Sequence, residues 1–243
     1  MFLQLEYSSA ALQMNTSVRI VMPDTGDLSK VKTVYLLHGL SDNCTGWSRY
    51  TSCERYARER GIALVMPEVQ RGFYMDGIYG LKYFTYVSEE LPAAMQRLFG
   101  LSAAREQNYV MGLSMGGYGA LKCALTHPER YAGAAGFSSV CDVQAFLDDP
   151  AMPSMEREKP ALIGPEGRVP AESDLRALLN QDQDLPALYL SCGEEDTLYP
   201  MNLAFVRALE EKGADFRFDH RPGIHSWDFW DRSLQDAFAH FFD

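Results

Sequence analysis

Short, nearly unbroken apolar runs recur along the chain, among them "TVYLL" at 33–37, "IALVM" at 62–66, "NYVMG" at 108–112 and "ALYLSCG" at 187–193. Each is strand-sized, and amphipathic stretches of helical length separate them. That alternation predicts βα units around a mostly parallel sheet with helices on both faces. "FLQLEYS" and "SVRIVMP" open the chain as an antiparallel hairpin at the sheet edge. A helix is expected over about 47–60. "YFTYVSEELPAAMQRLF" has helical periodicity, with Pro92 marking a kink or restart. "YAGAAGFSS" and "DFRFDHR" read as further strands. "PMNLAFVRALEEKG" is a helix capped by Gly213, and "SWDFWDRSLQDAFAHFF" closes the chain as another.

A chain of 243 residues fits one large domain over 1–243 better than two. An apolar fraction of 47% excludes disorder, and a net charge of −11 makes nucleic acid or an anionic membrane an unfavourable partner. The cysteines, Cys44, Cys53, Cys123, Cys141 and Cys192, are odd in number and lack C-x-x-C spacing. They read as reduced thiols, with neither metal nor cofactor expected. The amino terminus has no basic segment leading into an apolar stretch, and no apolar run could span a bilayer, so a cytoplasmic location is expected. Residues 142–186 stand apart. They carry Pro150, Pro153, Pro160, Pro165, Pro170 and Pro186 in a mixed charge pattern too long for a plain connection, and read as a small cap over a site.

The chemistry centres on "YVMGLSMGGYGAL", where Ser114 lies between Gly112 and Gly116. The pattern G-x-S-x-G arises by chance in about one chain in ten of this length, and a serine N-cap would fit the same letters. Context separates the readings. Ser114 follows a predicted strand and precedes a predicted helix, as a nucleophile on a sharp turn must, and the glycines let backbones pack closely around it. The amino end of the helix favours negative charge developing there.

A serine hydroxyl needs a base. His127 precedes a proline at a helix end, His220 lies in an alternating strand, His240 is on the last helix, and His38 ends a strand. Only His225, in "RPGIHSW", falls in the loop between the last strand and the last helix, at the edge where Ser114 is expected. An acid should follow a strand between Ser114 and His225. "ALYLSCGEEDTLYP" offers Glu194, Glu195 and Asp196, and Asp196 is favoured because its position in the turn reaches toward the histidine. The two glutamates are expected to be solvated. Oxyanion donors are expected from the N–H groups of Met115 and Leu40, with Gly39 letting substrate approach the backbone. Trp47 and Tyr83 are candidate substrate contacts, whereas Trp227 and Trp230 have a helical spacing that suits core packing.

"YLLHGLSDNCTGW", "YFTYVSEELP", "VMGLSMGGYGALKCAL", "CGEEDTLYPMN" and "PGIHSWDFWD" together resemble the esterase D group of α/β-hydrolases, over about residues 2–241. The nearest similarity is to short tributyrin esterase-like and feruloyl or acetyl esterases, with S-formylglutathione hydrolase a longer relative. The resemblance implies an α/β-hydrolase fold and a serine carboxylesterase acting on small, short-chain acyl esters. Its triad would be Ser114, Asp196 and His225, with oxyanion donors at Leu40 and Met115. It also implies association into a homo-oligomer. The alternatives are S-formylglutathione hydrolysis, feruloyl or acetyl-carbohydrate ester hydrolysis, acyl transfer as in mycolyltransferase relatives, and a non-catalytic binding module. Intact serine, acid, histidine and elbow glycines argue against the last.

Overall fold

The carboxyl ends of the parallel strands come into line at one edge of the sheet, and that alignment positions the candidate site. The computed structural model describes residues 1–24, 26–151 and 155–243. Among them, β1 (Phe2–Ser9), β2 (Met14–Val21), β3 (Thr33–Leu37), β4 (Ala63–Pro67), β5 (Asn108–Leu113), β6 (Gly133–Phe137), β7 (Ala187–Gly193) and β8 (Phe216–Arg221) form one sheet. Its order is β1-β2-β4-β3-β5-β6-β7-β8. β1 and β2 pair antiparallel, as does β2 with β4, and the remaining pairs are parallel. Leu37 of β3 lies opposite Gly112 of β5, Leu113 opposite Phe137 of β6, and Phe137 opposite Ser191 of β7. The loops that leave β3, β5, β6 and β7 therefore emerge side by side.

The helices are α1 (Gly46–Tyr50), α2 (Cys53–Arg60), α3 (Tyr83–Thr85), α4 (Leu91–Phe99), α5 (Met115–Thr126), α6 (Val143–Asp148), α7 (Lys159–Ile163), α8 (Leu175–Leu179), α9 (Tyr199–Lys212) and α10 (Trp227–Phe242). Strand side chains alternate between two apolar layers, as a period of two requires. Tyr35, Leu37 and Val110 join Tyr118 and Leu121 of α5 and Phe205 of α9 on one face. Val34, Leu36 and Met111 meet Tyr56 of α2 and Phe229, Leu234 and Phe238 of α10 on the other. All five cysteines are free and buried. Among the described residues no helix is long and apolar enough to cross a membrane.

One expected helix takes a different form, and another restarts at Pro92 as its sequence suggests. The helix expected over 47–60 breaks between α1 and α2. Thr51 turns extended there, its hydroxyl donating to the Trp47 carbonyl (2.5 Å) and accepting from the Cys53 amide (3.1 Å). A side chain that serves both helix ends in this way competes with helix continuation. Near Pro92 the chain makes a wide turn over Tyr86–Glu90 before α4, with Pro92 in the first turn of that helix. The Ser88 carbonyl, to which Pro92 has no N–H to give, accepts from Arg130 Nη1 instead (2.7 Å).

In the 142–186 segment, residues 152–154, with Pro153, lie outside the described residues. The rest carries α6, α7 and α8 and is hydrogen-bonded to α5 at two places along that helix, where Gln183 Nε2 donates to the Leu125 carbonyl (2.6 Å) and where Ser173 meets Tyr118 and Lys122. Tyr118 donates to the Ser173 carbonyl (2.8 Å), and Lys122 Nζ donates to Ser173 Oγ (2.9 Å) while standing 4.2 Å from the centroid of the Phe84 ring. Burial of the ammonium pushes Lys122 down to about 8, from an ordinary 10.5. Between those values the unfolded chain holds a proton that the folded chain has lost, so stability from this group rises with pH across the window. Relative to Lys122→Met, the wild-type protein should gain up to ~3 kcal/mol between pH 8 and 10.5 in urea unfolding. A stability difference independent of pH would show that this lysine is not held as described.

Candidate active site

β5 hands over to α5 in a single residue. Ser114 has φ +54° and ψ −117°, a conformation that residues with a Cβ rarely adopt. Its amide donates to the Phe137 carbonyl (2.8 Å), and its carbonyl accepts from the amides of Tyr118 (3.1 Å) and Val140 (3.2 Å). The turn needs glycine on both sides. A Cβ at Gly112 would lie 2.3 Å from the Gly116 carbonyl oxygen, and one at Gly116 would lie 2.4 Å from that of Leu37. α5 therefore begins in contact with the end of β3.

The loop leaving β3 is fixed by His38, which is buried. Its Nε2 accepts from the Val69 amide (3.1 Å), so Nδ1 carries the proton and donates to the Gly39 carbonyl (2.8 Å). The Tyr74 hydroxyl donates to the His38 carbonyl (3.0 Å). With both ring nitrogens engaged, His38 is a scaffold residue. Gly39 and Leu40 follow it on the wall of a cavity of about 850 Å³ that Ser114 and His225 also line. Met115 is the first residue of α5, where a backbone N–H has no acceptor within the helix.

His225 Nε2 lies 3.1 Å from Ser114 Oγ, and its Nδ1 lies 2.8 Å from Asp196 Oδ2. The three candidates are thus in one hydrogen-bonded line, joined from three loops at the same sheet edge. The Asp196 side chain is fully buried, whereas that of His225 is one-third exposed, at 34%. Burial alone would push the Asp196 carboxyl up. The hydrogen bond and charge of His225, the Leu198 amide on Oδ1 (2.9 Å) and the Ser138 hydroxyl outweigh it and hold Asp196 below the usual carboxylate range.

The loops of acid and base are clamped to one another. A Cβ at Gly193 would fall 2.1 Å from the Gly223 carbonyl oxygen, so only glycine permits that approach. The amides of Glu194 and Glu195 donate to the carbonyls of Arg221 (3.0 Å) and Gly223 (3.1 Å). Both glutamates are exposed, as expected from the sequence, yet each also has a partner. Glu194 pairs with His220 Nδ1 (3.0 Å), and Glu195 accepts the Gly223 amide (2.6 Å), holding the histidine loop.

Substrate contacts also differ from expectation. Trp47 is buried, donates to the Leu37 carbonyl (3.0 Å) and packs edge-on against Phe137 and Trp227, so it supports the wall from behind. Tyr83 lies against Gly72, away from the cavity. Trp227 and Trp230, whose spacing suggested core, both reach the cavity wall with Tyr50, Phe146 and Met201. Trp230 stands edge-on to His225, with ring centroids 4.7 Å apart. The cavity wall also carries Asp42, pushed up by burial, and Arg71, which is paired with Glu158. Asp42 lies in the "HGLSDN" stretch beside Leu40, whereas Arg71 sits in no motif and only the fold brings it to the serine.

A serine on a strand–helix turn, with its histidine loop after the last strand of a mostly parallel sheet, makes this an α/β-hydrolase. Residues 9–241 match the model of the Esterase family, and the chain belongs to that family. An acetyl esterase from Caldicellulosiruptor saccharolyticus is 27% identical over 97% of this chain and 96% of its own. Among solved structures, the substrate-bound fluorophosphonate-binding serine hydrolase F of Staphylococcus aureus is similar at 32% identity and a TM-score of 0.93, over 100% of this chain and 98% of that one. An S-formylglutathione hydrolase from the same organism gives 32% and 0.90, over 100% and 99%.

If Glu195 holds the histidine loop, Glu195→Ala should lower kcat/KM by up to about tenfold, the worth of one solvent-exposed hydrogen bond. Glu194→Gln should leave it unchanged. Steady-state kinetics on any turned-over ester separate the two, and equal effects would refute the distinction.

Proposed function

We propose that this chain is a serine carboxylesterase acting on short-chain acyl esters through an acyl-enzyme at Ser114. The observation that carries the proposal is the continuous line from Ser114 Oγ through His225 to Asp196, opening on the cavity. His225 Nε2 takes the serine proton as Oγ attacks the ester carbonyl. The N–H groups of Leu40 and Met115 receive the oxyanion. The intermediate then expels the alcohol, which leaves with the proton from His225, and water repeats the cycle on the acyl-enzyme. Asp196 stays ionised throughout and stabilises the imidazolium.

Short acyl groups are favoured because Leu40 stands on the cavity wall beside the serine, and because the 142–186 segment, read as a cap, narrows the cavity with Ala145, Phe146 and Asp149. The same reading takes the chain as one domain, cytoplasmic and homo-oligomeric, with small esters as partners. A second reading, thioester hydrolysis of S-formylglutathione, draws on the Staphylococcus aureus hydrolase of that name.

Ser114→Ala should abolish hydrolysis without unfolding the protein, since it removes one oxygen on the cavity lining. Asp196→Asn should lower kcat by about 10⁴-fold, as loss of the orienting acid does in such triads. Purified protein assayed on p-nitrophenyl esters of two to sixteen carbons should peak between acetyl and butyryl. Each methylene that fits adds at most ~0.8 kcal/mol before the wall is met. A maximum at twelve carbons or beyond would refute the short-acyl reading. A hundredfold preference for S-formylglutathione would instead establish the second reading.

A further inference from the structure

The loop that presents the Leu40 amide is held at both ends by one short segment, the chain that leaves β4. β3 and β4 run parallel and adjacent, with Tyr35 opposite Val65, so their loops emerge together. After β3 the chain passes through Gly39 and Leu40. It turns where the Asp42 amide donates to the Gly39 carbonyl (3.2 Å), and it reaches Cys44 just before α1. The near end is held at His38, whose Nε2 accepts the Val69 amide. The far end is held by Glu68, whose Oε2 accepts the Cys44 amide (3.0 Å). Leu40 lies between these two fixed points, and among the described residues its amide meets no acceptor.

Glu68 is itself well anchored. Its amide donates to the Ser17 carbonyl on β2 (3.1 Å), and its side chain is only 19% exposed. Oε1 accepts the Gln70 amide (2.7 Å), closing a turn in which Gln70 takes φ +50°. The Gly72 amide on the Val69 carbonyl (2.9 Å) continues that turn and holds Val69 beside His38. One carboxylate therefore serves both loops, with one oxygen for each. A backbone amide is held more firmly by an ionised carboxylate than by a neutral oxygen. Cys44 is buried, so an amide deprived of Glu68 regains a partner only from mobile water in the vacated space or by moving the loop. Neither fixes Leu40.

We infer that Glu68 is a positioning residue for the oxyanion hole: it holds the far end of the Leu40 loop, while the turn it closes holds the near end through Val69 and His38. This role rests on the reading of Ser114 as nucleophile and Leu40 as oxyanion donor. Negative charge reaches the ester oxygen only when Ser114 Oγ has added to the carbonyl carbon and the π electrons have moved onto that oxygen. A displaced Leu40 thus weakens the transition state and leaves the bound ester alone, so kcat falls while KM is spared. Asp196 and His225 lie on other loops, so the acid limb of the kcat/KM profile stays in place.

The test uses the full chain and p-nitrophenyl acetate from pH 5 to 9, comparing wild type with Glu68→Ala and Glu68→Gln. Inhibition by trifluoroacetone is measured alongside. Ser114 Oγ adds to the carbonyl carbon of that ketone, the serine proton passes to His225, and the ketone oxygen becomes an oxyanion at the same place. Glutamine keeps the shape but only one acceptor oxygen. It releases either the Cys44 amide or the Gln70 amide, and each release loosens Leu40, so this variant tests the role even if the alanine variant misfolds. Glu68→Ala should lower kcat about ten- to hundredfold, short of the ~10²–10³ lost with a whole donor, with KM changed by less than about twofold. Glu68→Gln should act in the same direction by less. In both, Ki for trifluoroacetone should rise by the factor by which kcat/KM falls, and the acid-limb midpoint should not move. A folded variant with wild-type kcat, a fall in kcat with unaltered trifluoroacetone binding, or a moved acid limb would overturn the inference. With Ser114→Ala inactive, those results strike Glu68 alone. Turnover that survives Ser114→Ala would instead overturn the esterase reading and the inference together.

Discussion

The backbone at Ser114 is held where a side-chain-bearing residue does not rest by choice, and the site is organised around that turn. A conformation of this kind costs about 1–3 kcal/mol and persists only where its surroundings over-determine it. Here they do. The Ser114 amide is anchored to β6, its carbonyl is shared by Tyr118 and Val140, and α5 is seated against the end of β3 through Gly116. A larger residue at Gly112 or Gly116 would drive backbone into backbone, where nothing can rotate away. The turn lifts the hydroxyl clear of the sheet and sets the free amide of Met115 beside it.

Parallel pairing extends that single turn into a site. Because β3, β5, β6 and β7 end in register, their loops need no long excursions to converge. His38 serves the loop after β3, Ser138 the loop after β6, and Asp196 the loop after β7. Each is a buried polar residue whose hydrogen bonds are directed at backbone or at another member of the site. Buried polar groups are costly when unpaired, so these networks define one arrangement rather than several. The clamp between Gly193 and Gly223 does the same for acid and base, bringing their two backbones to a distance at which the side chains have little choice of partner.

The two helix layers make unequal contributions. α5 and α9 lie on one face and carry the 142–186 segment through Tyr118, Lys122 and Ser173. α10 lies on the other and brings Trp230 to the site, while the adjacent Trp227 reaches the cavity wall from the same helix. The cavity is therefore walled by elements from opposite sides of the sheet. Its chemistry mixes aromatic surface with the carboxylate of Asp42 and the paired guanidinium of Arg71, so polar and apolar parts of one ester both find surface there.

Local signals in the chain were enough for the order of strands and helices, the edge hairpin, the strand–serine–helix turn, and Ser114, Asp196 and His225 as candidates. Those features are written in apolar periodicity, in glycines at fixed spacing and in chain order, all of which act over a few residues. The restart at Pro92 was legible, but the break at Thr51 was not, because it depends on what one side chain does with a freed carbonyl. Trp47 proved to be core, while Trp227 and Trp230 pack on the core and also reach the cavity, for a related reason. A tryptophan's indole can cover the core or line a cavity at the same helical spacing, and only the packing of α10 against α1 decides which. Ser138 stands in no motif, and Glu195 looks like a neighbour of Glu194. Their hydrogen bonds span 28 to 92 residues of chain, so the tertiary structure alone could decide them.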